Sequence, residues 1–141
     1  MINMNTNRLL RGIPNKDFIE NGVLAKDAFQ FDENLLRNDN YKECSINWYD
    51  EEEALLFLLH KMKDNGKKQF PGGVALIDIK RLKEIICCVY NETTFSYERN
   101  AINENKYHGN LLLKREATKR EKEQIMNGLA LVVGSDIIKN E

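Results

Sequence analysis

The chain has 141 residues, and its 21 basic and 22 acidic side chains leave a formal charge of −1, so nonspecific DNA binding is not expected. With 42% apolar residues, a chain of this length buries roughly two thirds of the surface its unfolded form exposes, and it needs neither disulfides nor a structural metal to stay folded. Three cysteines, two of them adjacent at Cys87 and Cys88, argue against an oxidised disulfide framework, and the longest apolar run, 54–59, is too short to span a bilayer; a cytoplasmic location away from membranes is expected.

Residues 1–7 are polar and read as a flexible lead, with 8–141 forming one domain. Residues 8–13 suit a short strand halted by Pro14, and 17–20 one helical turn before Asn21-Gly22, a dipeptide that tolerates positive φ. Segment 25–31 is ambiguous, and 32–40 reads as a polar loop. In 43–49, Cys44, Ile46 and Trp48 alternate with Ser45 and Asn47, the pattern of a half-buried strand. Asp50 with Glu53 three residues on resembles a capping box, which predicts a helix over 51–65. That helix is apolar over most of its circumference, so it is central or has one flank on a partner.

Asn65-Gly66 is the expected end of this helix, and Phe70-Pro71-Gly72-Gly73 has Pro and Gly where a type II turn prefers them. Next come a buried strand over 74–79, a short helix over 80–84 and another strand over 85–90. Residues 91–110 form a polar, asparagine-rich connection with room for a hairpin, and 111–113 suit a strand. A second long helix runs from 116 to 133, with Ile125, Met126, Leu129 and Val133 on one face and Gly134-Ser135 as its stop. The predicted fold class is α+β: a single compact domain with a mixed or antiparallel sheet of about four to six strands packed by two main helices. Segments 43–49 and 74–79 are its expected central strands.

His108 stands in Tyr107-His108-Gly109-Asn110, where a polar loop gives way to apolar residues; it is the candidate general base, and Gly109 would allow a substrate to come close. The plainer reading of His108 is a turn residue bonded to backbone. Arg8 and Arg11 bracket an apolar pair and could hold a phosphate or carboxylate, as could Arg99, although surface arginines are more often solvated or ion-paired. Ser45 and Asn47 share one strand face and could bind a ligand if that face floors a cleft; otherwise they are the solvent side of an edge strand. Two histidines and scattered cysteines give no metal-ligand spacing, so no metal and no cofactor are expected. Glu116 with Arg120 and Lys119 with Glu123 read as a solvated helix face, with RNA contact as the lesser reading. Gly72-Gly73 lacks the residues of a phosphate loop.

The strings Arg11-Gly12-Ile13, Ala28-Phe29, Ser45-Ile46-Asn47-Trp48, Gly73-Val74-Ala75 and His108-Gly109-Asn110 resemble those of short uncharacterised bacterial proteins. The resemblance implies no activity; it adds a preference for Arg11, Ser45 and His108 belonging to one cleft. An abundance of Asn, Lys and Ile with two prolines fits the AT-rich coding of many low-GC bacteria and their phages. The leading expectation is a small bacterial or phage accessory protein of toxin–antitoxin, immunity or anti-defence type that binds a protein or a nucleotide-like ligand. A protein partner or homodimer would use the apolar girth of the 51–65 helix and aromatics near Tyr97 and Tyr107. The rival is an enzyme acting on a nucleotide or RNA, by ADP-ribosyl transfer or as a metal-independent ribonuclease, and a third reading is a purely structural module. Composition leaves open whether the chain is an enzyme.

Overall fold

The computed structural model describes residues 7–33, 40–88 and 94–140. Its elements, in chain order, are β1 (Arg8–Ile13), β2 (Ile19–Glu20), β3 (Val23–Leu24), β4 (Asp32–Glu33), β5 (Tyr41–Trp48), α1 (Glu52–His60), β6 (Gly73–Asp78), α2 (Ile79–Cys88), β7 (Phe95–Arg99), β8 (His108–Lys114), α3 (Lys119–Val133) and β9 (Ile137–Ile138). The architecture is α+β, one compact domain built on an antiparallel sheet in the order β7-β8-β5-β1-β6-β9, with β4 added beside β5. β1 therefore lies between the two strands expected to be central. The hairpin β2–β3 stands apart and turns at Asn21-Gly22, whose φ values of 55° and 79° suit a type I′ turn.

β1 and β6 bury apolar side chains toward both faces, which requires a covering layer on each. On one face, Leu9, Ile13, Ile77, Leu111 and Leu113 form the larger core with Leu82 of α2, Ile125 and Leu129 of α3, and Phe29, Phe31 and Phe95. On the other, Leu10, Val74 and Leu76 meet Ala54, Leu55 and Leu58 of α1. The sheet is thus covered by α2 and α3 on one side and by α1 on the other, three helices among the described residues where two main ones are expected.

Three boundaries differ from expectation for identifiable reasons. α1 ends at His60, not near residue 65, because Lys61 is extended and Lys68 Nζ and Asn140 Nδ2 donate to the Leu59 carbonyl at 3.0 and 2.8 Å. Asn65-Gly66 instead belongs to a short excursion closed by a bridge between Met62 and Lys68. Asp50 does not cap α1; Glu51 is the N-cap, and Arg99 has taken the Asp50 carboxylate. The predicted strand over 85–90 is overturned: α2 runs through residue 88, starting where Asp78 Oδ1 accepts from the backbone N–H of Lys80 at 2.8 Å. A cap directly after β6 outweighs the β propensity of Ile-Ile-Cys-Cys. Residues 89–90, and the side chains of Cys87 and Cys88, lie outside the described residues.

Smaller differences follow the same logic. The turn over residues 70–73 is closed by Gly73 N–H donating to Phe70 O at 3.0 Å, but the positive φ falls on Gly73 and not Gly72, so it is not type II. α3 starts at Lys119 on a capping box in which Thr118 Oγ1 accepts from Glu121 N–H and Glu121 accepts from Thr118 N–H. Glu123 pairs with Lys26 at 2.6 Å. The expected hairpin is β7–β8, with Phe95 opposite Leu113 and Arg99 opposite Gly109.

Candidate functional site

The site begins with a gap in the sheet. On one edge of β5, Lys42 and Glu43 pair with β4, while Asn47 and Trp48 pair with β1. Between them, among the described residues, no strand answers the Ser45 carbonyl; Arg11 Nη1 donates to it at 2.9 Å, and Arg11 Nε donates to Ala28 O at 3.0 Å. Over this gap opens a cleft of about 380 Å³, a volume suited to a small ligand. Phe57 and Lys61 at the end of α1, Gln69 and Phe70 before β6, and Ile102 and Glu104 at the tip of the β7–β8 hairpin wall it. Gly12 makes room for Phe70: a Cβ there would meet the ring at 2.5 Å.

Ser45 and His108 come together on the cleft floor. Register pairs Asn47 with His108 and Ser45 with Asn110, so these four side chains share one sheet face, opposite the face of Cys44 and Ile46. His108 Nε2 lies 3.3 Å from Ser45 Oγ, and His108 Nδ1 lies 2.9 Å from the Asn100 carbonyl. A carbonyl only accepts, so in the neutral ring Nδ1 carries the proton and Nε2 is left to accept from the Ser45 hydroxyl. The backbone bond of the plainer reading of His108 is present, and it orients the ring with its second nitrogen on the hydroxyl. Ser45 itself is exposed and His108 is half-buried.

The remaining candidates have other employments. Asn47 lines the cleft but is 1% exposed; its Oδ1 accepts from Asn105 Nδ2 at 2.7 Å, and its Nδ2 donates to Ala54 O at 3.4 Å. It ties β5 to α1 and to the hairpin tip. Arg99 makes a two-pronged pair with Asp50, both bonds 2.7 Å, and lies 4.2 Å over the Trp48 ring. These bonds hold the Asp50 carboxyl below the usual carboxylate range. Arg8 lies outside the cleft, 4.0 Å from Asp136. Of the three arginines, Arg11 alone lines the cleft with Ser45 and His108. Gly109 serves the fold rather than a substrate, since a Cβ there would meet Glu98 O at 2.5 Å and Trp48 Nε1 at 2.8 Å.

A second, more open groove of about 630 Å³ runs along the outer side of α1, past Glu51, Glu53, His60 and Tyr107. It is larger, but three of its polar groups are used on one another: the Tyr107 hydroxyl donates to Glu51, and Lys106 lies 3.5 Å from the same carboxylate. That bond, with some burial adding to it, pushes the Tyr107 phenol up to about 12; the same bond, against the effect of burial, holds the Glu51 carboxyl down. Tyr107 is buried and Tyr97 is half-buried against Trp48, so neither is the exposed partner-binding aromatic expected of it. Cys44 is buried in the larger core, and burial pushes its thiol up, away from reactivity.

Among the described residues no group of three or more His, Cys, Asp or Glu side chains could hold a metal ion, and no helix is long and apolar enough to cross a membrane. Sequence reasoning missed Phe57, Phe70, Lys61, Gln69 and Asn105. Only Phe70 carried a signal, as the bulky residue before Pro71-Gly72-Gly73. No protein-family model, curated protein or solved structure matches this chain.

Proposed function

We infer that the protein binds a small nucleotide-like ligand in the cleft over the gap between β1 and β5. The observation that carries this reading is the convergence of a hydroxyl, an oriented imidazole and a guanidinium on a floor walled by Phe57 and Phe70. Aromatic walls suit a planar base, Ser45 and His108 suit its sugar or phosphate oxygens, and the unused N–H groups of Arg11 with Lys61 at the rim suit the phosphate charge. A pocket of this kind fits an accessory component of toxin–antitoxin, immunity or anti-defence type. The protein-binding arm has less support: the exposed apolar side chains Val23, Met62, Ile102 and Leu131 stand on four separate segments.

The test is a titration with mononucleotides and dinucleotides followed by backbone amide shifts. The expected result is saturable change at Gly12, Ser45, Phe70 and His108, weakened roughly tenfold or more by Phe70→Ala. Shifts absent at millimolar ligand, or gathered on the outer groove of α1, would overturn the reading.

A second reading, an enzyme acting on a nucleotide or RNA, draws on the fixed tautomer of His108. ADP-ribosyl transfer and metal-independent RNA cleavage both suit a base, a hydroxyl and a cation. Incubation with a labelled RNA in the presence of a chelator, and separately with a dinucleotide donor, distinguishes them by product; wild-type turnover no greater than that of His108→Ala removes both.

A further inference from the structure

We propose that Ser45 is a nucleophile and His108 its general base, acting on a phosphorus ester held in the cleft. The proposal rests on the nucleotide-like reading for its substrate class, though not for the nucleophile itself. Both side chains stand on paired strands, β5 and β8, so their separation is set by register and not by a loop. The 3.3 Å between Ser45 Oγ and His108 Nε2 is within the range of unliganded nucleophile–base pairs, which tighten once substrate is bound. The Asn100 carbonyl takes the orienting place at Nδ1. A serine that is already exposed has water available and needs no histidine to satisfy it, so the contact is not explained by the demands of burial.

Two further groups fit this chemistry. Arg11 donates to the backbone carbonyl of Ser45 itself and lines the cleft, which holds a fixed positive charge in the gap between β1 and β5, where it suits a charged phosphoryl oxygen. Asn110 faces Ser45 in register and lies two residues from His108 on the same face; it is 1% exposed, and its buried Nδ2 has no hydrogen-bond partner. An orphaned buried donor beside the Ser45–His108 pair is the kind of unsatisfied group that folds tolerate at functional sites.

The step balances without any added oxidant or metal. Ser45 Oγ attacks phosphorus while its proton passes to His108 Nε2, leaving an imidazolium still bonded to the Asn100 carbonyl. The bond from phosphorus to the leaving oxygen breaks, and that oxygen takes the proton from His108. Water, deprotonated by the same Nε2, then attacks phosphorus, and the Oγ–phosphorus bond breaks as Oγ takes that proton from His108, restoring the Ser45 hydroxyl and the neutral ring.

A fluorophosphonate tests the nucleophile without knowledge of the natural substrate: Ser45 Oγ displaces fluoride and keeps the phosphonyl group. The expected result is a single adduct mapped by peptide mass to Ser45, absent in Ser45→Ala, and formed about 100-fold more slowly or worse in His108→Ala. His108→Gln, which keeps a polar side chain of similar reach without a base, should slow labelling to a similar degree. This second variant decides the matter if His108→Ala fails to fold. No adduct at Ser45 in folded protein, or labelling whose rate ignores both His108 substitutions, would overturn the proposal. Nucleotide titration of the same samples keeps the two ideas apart: binding without labelling removes the nucleophile alone, and labelling without nucleotide binding removes the nucleotide-like ligand alone.

Discussion

The two faces of the sheet use the same strands to different ends. On the side of α2 and α3, β1, β5, β6 and β8 contribute Leu9, Ile46, Ile77, Leu111 and Leu113, all buried, with Phe29 and Phe95 closing the margin. On the side of α1 the apolar contribution comes chiefly from β1 and β6, through Leu10, Val74 and Leu76, with Ile138 of β9 packed against them and Leu112 farther along β8. β5 and β8 place Ser45, Asn47, His108 and Asn110 there. A sheet needs one dry face to fold; the other can carry polar groups where a short helix leaves it uncovered. α1 stops at His60, and the cleft opens beside its end.

The comparison predicts a graded response to substitution. Phe95→Ala, which empties a fully buried site edge-on to Phe31 at 6.1 Å, should cost about 3–5 kcal/mol in denaturant unfolding. Leu58→Ala under α1 should cost about 2 kcal/mol, the low end for such a change, because the neighbouring cleft lets the gap relax. Equal costs at the two sites would break the distinction between the faces. Asn47→Ala should cost about 1–3 kcal/mol by stranding Asn105 Nδ2 and removing a contact to α1 at Ala54, and should not be rescued by added ligand.

The Asp50–Arg99 pair is partly exposed, so a double-mutant cycle with Asp50→Asn and Arg99→Ala should give a coupling of about 0–1 kcal/mol. Its pH dependence has a definite sign. The Asp50 carboxyl is held below its unfolded value, chiefly by the hydrogen bonds from Arg99, with partial burial opposing and the guanidinium charge adding. The coupling should therefore be complete above about pH 4 and disappear as pH falls through the folded value of Asp50. The smallest effect belongs to Ser45→Ala, within about 0.5 kcal/mol of the wild type by thermal unfolding, because an exposed hydroxyl carries little of the fold. A large loss there would make Ser45 a structural residue and blur the contrast between the faces.

Much of the framework was legible from neighbours along the chain. Alternation in 43–49, Pro14 after an apolar run, Asn21-Gly22 and the apolar stripe from Ile125 to Val133 all report local geometry, and β5, β1, the β2–β3 turn and α3 stand where they indicate. The misreadings occurred where a distant group took over a local signal. Arg99 removed the cap that Asp50 promised, Asn140 and Lys68 helped end α1 early, and Asp78 began a helix through residues whose β-branched character suggested a strand.

The site divides along the same line. Ser45 and His108 could each be picked out as polar residues beside apolar strands, because period-two alternation is written in adjacent residues. Their contact, across 63 positions of sequence, exists because β5 and β8 pair in one register; a shift by a single residue would turn each to the other face. The gap that brings Arg11 to the Ser45 carbonyl, and the walls supplied by Phe57 and Phe70, arise from where β4, β1 and α1 end against one another. Local pattern was enough to establish the α+β class and the longer strands and to nominate the polar side chains of the cleft, whereas non-local pairing alone decided which of them meet.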